Sequence, residues 1–251
     1  MLAMNLYLDY KQAPKPEPAL PRNPEAALLA SFAVWFLWFG INAGKEHSAS
    51  RTASQCVVNT IAAVTISVFV NYLIDFLFEV PYTNVAIINA IMVGIVAATP
   101  SSGYVTVGGA MVVSIITALA TRLIGKTVLK DGLQDTPYSV VTVHGVGGSV
   151  AFLFTALMSY EFVNSEGLDG LTFGHEGPIR KHTAAVLATW ACTLPAVLLG
   201  LFLVDLVVPL SRFDQNPKDD YAPTGLGPYR PSFKIDHPAL YTQKSTFNMG
   251  K

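Results

Sequence analysis

The residue most able to do chemistry is a histidine with almost no polar company. His144 lies in the run Val143-His144-Gly145-Val146-Gly147-Gly148, inside an otherwise apolar segment. Neutral imidazole accepts a hydrogen bond or proton on one nitrogen and donates on the other. A histidine buried in a membrane can therefore line a path for a small polar solute, and an ionisable residue there marks a functional site by default. A ring satisfied by a neighbouring helix is the structural alternative, and both readings stay open at this point. Two further runs mix aromatic, glycine and polar residues in ways an apolar helix does not need. One is Trp38-Phe39-Gly40-Ile41-Asn42-Ala43-Gly44-Lys45, and the other extends from Asn89 through Gly94 to Thr99-Pro100 and Gly103-Tyr104-Val105.

Enzymatic chemistry lacks its usual constellations. No metal-ligand spacing, phosphate loop or nucleophile–base arrangement is present, and no cofactor is implied. Cys56 and Cys192 fall in apolar segments and read as small buried residues. Asp75 and Asp205 lie near segment ends, where capping or local pairing is the expected role.

The elements that must position these residues are membrane helices. The chain has 251 residues, 51% hydrophobic and 13% charged, with mean hydropathy +0.43. A soluble domain carries about 25% charged residues. A net charge of −1 without a basic run excludes a nucleic-acid partner. Six segments approach or pass the ~20 apolar residues that cross a bilayer: 26–43, 57–78, 85–98, 107–128, 139–158 and 183–209. The expected fold is an all-α, polytopic membrane protein. The third segment is short, and Pro100 with Gly103 predicts a helix broken inside the protein. Gly94, Gly103, Gly145, Gly147 and Gly148 are expected to let helix backbones approach closely.

Six crossings place both termini on one side. Near the segment ends, Lys11, Lys15, Arg22, Arg122, Lys126, Lys130, Arg212 and Lys218 fall there against Lys45, Arg51, Arg180 and Lys181 opposite, which points to the cytoplasmic or matrix-like face. The Pro-rich arm 1–25 and the polar tail 213–251, with its spaced prolines and tyrosines, are expected to contact partner subunits around a membrane domain at 26–212. The loop from Ser159 to Lys181 reads as a solvated connection.

Taken in order and spacing, the three runs around Trp38–Lys45, Asn89–Val105 and His144 resemble the second half of the ammonium transporter/Rhesus family. Asn59-Thr60, Trp190 and the stretch from Asp205 to Arg212 support the match. The resemblance implies an eleven-helix, usually trimeric fold whose first five and next five helices form inverted repeats. It also implies an aromatic vestibule, gating phenylalanines and a narrow pore lined by one histidine from each repeat. By that comparison this chain holds helices six to eleven, the second repeat plus the last helix. His144 matches the second pore histidine, and the first would come from a helix outside the match.

Against the family pattern, the retained half is altered. Ile41 stands where a gating phenylalanine precedes the asparagine, here Asn42. Lys45 replaces a small hydroxyl residue, and Ser139 replaces an aspartate. The family's C-terminal regulatory motif is not recognisable. His144, Ile41, Asn42 and Lys45 are thus expected to be remnants of a pore. The chain is expected to serve as a non-transporting accessory subunit among other membrane subunits and lipids. A respiratory-chain complex of the mitochondrial inner membrane is the expected setting. The alternative is an ammonium or ammonia channel completed by a separately encoded first half.

Overall fold

The computed structural model describes residue 7 and residues 23–127, 140–165 and 167–207. The chain divides into two units, residues 1–210 and 211–251; the second, with all of the expected tail 213–251, lies outside the described residues. So do Ser139 and the greater part of the arm.

Among the described residues, six helices are long and apolar enough to cross a membrane: α1 Pro24–Gly44, α2 Arg51–Leu77, α3 Asn84–Ser101, α4 Val107–Thr127, α5 Val141–Met158 and α6 Gly177–Val207. No strand occurs among the described residues. Helix starts follow ordinary capping chemistry. The side chains of Asn23, Ser50 and Thr83 accept from the amides of Ala26, Ala53 and Ala86, which would otherwise be orphaned at the first turn. Pro24 opens α1, where its missing N–H costs nothing.

Hydrogen bonds between helices fix their alternation. Asn59, near the start of α2, donates through Nδ2 to the carbonyls of Ser102 (2.7 Å) and Val105 (2.8 Å) just beyond α3. Arg122, late in α4, meets Asp75, late in α2. The Nδ1 of His182, in the first turns of α6, is 2.8 Å from the carbonyl of Phe152 in α5. Successive helices therefore run up and down, and α1, α3 and α5 are parallel to one another. We call the end holding Lys45, the α3–α4 turn and the α5–α6 loop the upper end.

The interior is unusually polar for so apolar a chain. Asn42, Asn59, Thr60, Ser67, Asn71, Ser114, Thr117 and Thr121 are all buried. Each short hydroxyl side chain satisfies itself on a nearby carbonyl, as Thr117 does on Val113 (2.7 Å) and Ser114 does across helices on Ala63 (2.6 Å). Large apolar side chains face outward instead: Leu29 and Phe36 on α1, Phe76 on α2, and Leu187 and Leu206 on α6. This inversion suits a lipid surround, in which apolar burial drives nothing and packing relies on small and polar residues.

Three expectations change. Instead of breaking, α3 runs as a helix through Pro100 to Ser101. Its 18 residues rise about 27 Å, nearly the ~30 Å hydrocarbon core, and the chain turns only after Ser102. The first part of the α5–α6 connection is folded onto the upper end, while residues 171–176 are exposed as expected. Tyr160 N–H donates to Tyr104 O (2.8 Å), Gly170 N–H donates to Ser159 O (2.8 Å), and Ser159 and Asn164 are buried. A Cβ on Gly170 would come within 2.4 Å of the Leu157 carbonyl oxygen, so only glycine allows that approach. Finally, Cys56 is buried but Cys192 is exposed on α6.

Of the arm, Tyr7 is described. It is 7% exposed and donates its hydroxyl to Asp205 Oδ2 at 3.0 Å. Asp205 is thereby partnered by a residue 198 positions away.

Candidate functional site: an open cleft beside His144

The candidate site is a cleft of about 930 Å³ whose floor is α3 and α5 and whose walls come from α1 and α6. His144 lies on it, exposed, together with Lys45, Trp38, Thr99, Phe152 and Trp190. A local widening of α5 presents the imidazole. Residues Val141–Val146 form a π-turn, and the Gly147 amide donates to both Thr142 and His144 carbonyls. Such turns recur at functional sites in membrane and soluble helices. No side chain among the described residues hydrogen-bonds the imidazole.

The tryptophans shape the walls. Trp38 donates through Nε1 to Thr99 Oγ1 (3.0 Å), and that hydroxyl donates onward to Ile95 O (2.7 Å). Trp190 donates to Ser149 Oγ (3.1 Å), which donates to Gly145 O (2.7 Å). A Cβ on Gly145 would meet the Trp190 ring at 3.0 Å. The bare backbone at Gly145 therefore lets the edge of that indole approach α5, and the pair closes the α6 side of the cleft. With both N–H groups turned inward, each indole offers an apolar surface to the opening.

Lys45 holds the upper mouth. Its Nζ donates to the carbonyl of Thr99 at 2.8 Å, one of the last carbonyls of α3, which has no amide of its own helix to accept from. A cation at a helix C-terminus also complements the helix dipole. Partial burial pulls the lysine's pKa below its ordinary value, the nearby Cys56 acting weakly in the other direction. Charging Lys45 is thus harder in the folded protein than in the unfolded chain. Between the lowered pKa and the ordinary one, the unfolded state binds more protons, so stability rises with pH across that window. We expect thermal unfolding in detergent to show this rise for the wild type and a flatter profile for Lys45→Gln.

The other predicted residues are spread through the bundle. Asn42 is buried away from the cleft and donates to Thr60 Oγ1 (2.9 Å), while Ile41 is 49% exposed and does not line the cleft. Gly94 lies at the α2–α3 contact, Gly103 in the turn against Cys56, and Gly147 against Thr121 of α4. Gly148 and Pro100 line the cleft itself. No pattern in the sequence signals the π-turn at Val141–Val146. The partnership of Trp190 with Gly145 and Ser149 was open to discovery from their helix spacing only once the facing helix was known.

Six apolar helices with a histidine-bearing cleft define a polytopic membrane protein. Residues 2–225 match the sequence pattern of the Ammonium Transporter Family, and the chain belongs to that family. It is 28% identical over 196 residues to the ammonium transporter of Bacillus subtilis (strain 168), covering 78% of this chain and 48% of that protein. Ammonium transporter Amt1 of Archaeoglobus fulgidus is 27% identical over 190 residues, covering 76% of this chain and 48% of its own length. Among solved structures, Candida albicans Mep2 superposes with a TM-score of 0.71 at 22% identity, covering 83% of this chain and 49% of Mep2. Saccharomyces cerevisiae Mep2 gives 0.66 at 24% identity, covering 76% and 46%. The chain thus spans about half the length of the relatives it matches, and the Mep2 structures share its fold.

Proposed function

We propose that this chain is a non-transporting structural subunit of a larger membrane assembly, using a pore-derived surface for packing. The observation that carries the reading is Lys45, fixed by its 2.8 Å bond to Thr99 at the mouth of the cleft that His144 lines. A protonated lysine repels an arriving cation. At ~4 Å the cost is about 1 kcal/mol in water and about 4 kcal/mol at the dielectric of a protein surface. Ile41, which lies off the cleft, supplies no gate there. An energy-transducing membrane, such as the mitochondrial inner membrane with its respiratory complexes, is the setting we infer. Both termini then face the matrix-like side, with lipids on the outer faces of α1 and α6.

The runner-up is an ammonium or ammonia channel completed by a separately encoded first half, favoured by the exposed, unbonded imidazole of His144. The native assembly, purified gently and reconstituted in liposomes, distinguishes the two. The structural reading expects ammonia and methylammonium flux no greater than that of His144→Ala. Flux that requires His144 establishes the channel. Recovery of the protein as an isolated homotrimer counts against a host complex.

A further inference from the structure

We propose that the cleft binds an anionic phospholipid of the upper leaflet, its phosphate at the mouth held by Lys45 of α1 and Lys181 of α6, and an acyl chain along the apolar walls below. The inference rests on the structural-subunit reading, since it needs the cleft open to lipid, and adds a ligand to that surface.

The depth of the cleft selects the occupant. On α3 the lining runs from Met92 to Pro100, a rise of about 12 Å. Met92 is midway along α3, so the cleft takes up the upper half of the span, close to one leaflet of the ~30 Å hydrocarbon core. His144 stands at its foot. A Cβ on Gly148 would lie 3.9 Å from Val96 Cγ1, and in these parallel helices His144 and Met92 are each four residues below that level. A spanning helix would run on past this foot, whereas an acyl chain entering from the upper face ends near the midplane, where the groove ends.

The chemistry changes with height. Lys45 is exposed at the mouth and gives one of its three N–H donors to Thr99. On the opposite wall, His182 bonds the Phe152 carbonyl and stacks on the Phe152 ring at 3.9 Å. Phe152 is four residues above Gly148, as Pro100 is above Val96, so the start of α6 stands at the height of Lys45. Beside His182, the exposed Lys181 heads a stripe with Ala185, Thr189 and Thr193, spaced four apart on one helix face; those three line the cleft. No Asp or Glu lines the cleft among the described residues, and Glu46 lies against the turn, its Oε1 3.5 Å from where a Gly103 Cβ would be. The two ammonium groups are stable in water without a partner. They make a positive mouth at headgroup height, and basic pockets between membrane helices hold anionic headgroups. Below it, Trp38 and Trp190 have spent their N–H groups on Thr99 and Ser149 and offer apolar faces. A groove that is charged at one end and apolar along the rest fixes the direction of an amphiphile.

The test places the native assembly in phosphatidylcholine vesicles carrying phosphatidylglycerol with a diazirine in its acyl chain. Photolysis should put adducts on residues 92–96 and on Trp190, in excess of those on Phe36 and Leu187, which are exposed off the lining. The same diazirine carried on phosphatidylcholine should label the cleft at least about fivefold less. Lys45→Gln combined with Lys181→Gln should lower cleft labelling by the anionic probe at least about tenfold and leave Phe36 and Leu187 unchanged. Equal cleft labelling by the two probes on the unaltered chain overturns the proposal. So does cleft labelling no greater than at Phe36 and Leu187, or a double variant that labels like the wild type. His144-dependent flux from the same vesicles would overturn the structural reading instead, and the same adducts then decide the lipid site by themselves.

Discussion

Replacing Arg122 with leucine is expected to lower stability by about 3–5 kcal/mol, the range for breaking one side of a buried ion pair. The Asp75 side chain is 1% exposed and faces Arg122 through two contacts, NH1 to Oδ1 at 2.8 Å and NH2 to Oδ2 at 2.9 Å. The guanidinium also donates through Nε to Asn71 Oδ1 (2.8 Å), whose Nδ2 donates to Ser67 O (2.9 Å). Without the arginine, a carboxylate is left unpaired in the bundle and Asn71 loses its acceptor role as well. Removing both charges leaves no orphan, so the double variant Arg122→Leu with Asp75→Leu should recover most of the loss. Unfolding in mixed micelles of the single and double variants measures both quantities. Equal losses would show that packing by the arginine stem, and not the ion pair, holds α2 to α4 at this end.

The next largest effect is expected at Gly94, where a single methyl group meets backbone. A Cβ there would lie 2.5 Å from Val64 Cα and 3.0 Å from Ser67 Cβ. Neither neighbour can rotate away, so Gly94→Ala must part α2 from α3 and stretch the 2.7 Å bond from Ser67 Oγ to Ala90 O beside it. Overpacking of this kind costs about 1–3 kcal/mol. Gly108→Ala is the matched control. It places a methyl group in a helix with nothing within 4 Å and should gain up to about 1 kcal/mol from alanine's better helix propensity. Thermal unfolding of the two variants in detergent should therefore move in opposite directions.

These positions show how much of the architecture was legible beforehand. Six spans and their order follow from the apolar runs, because lipid imposes a length and a composition on any helix that crosses it. The ends are less visible. Helix α2 begins at Arg51 and α6 at Gly177, ahead of their first apolar residues, because capping by Ser50 and snorkelling of Arg180 and Lys181 extend helices into polar sequence. Pro100 misled for a related reason. It sits one residue from the end of α3, where the carbonyl it leaves without an amide partner lies within the last turns, so it finishes a helix rather than breaking one. Of the candidate site, His144 and Lys45 were readable as residue types out of place, and the structure puts both on one cleft. Their shared environment was not readable, since it depends on Trp190 crossing over Gly145 and on a turn that no apolar pattern encodes.

That turn makes the imidazole's aim a matter of counting. The segment Val141–Val146 accommodates more backbone per coil than an ordinary helix, so shortening it by one amino acid would leave a smoother rod. Because the turn absorbs the extra residue, the same deletion would leave the helix before and after it in register and move only the residues inside the turn to other faces. His144 would leave the opening while Ser149 and Phe152 stayed in place. The direction of one side chain is thereby tied to a local irregularity in the backbone.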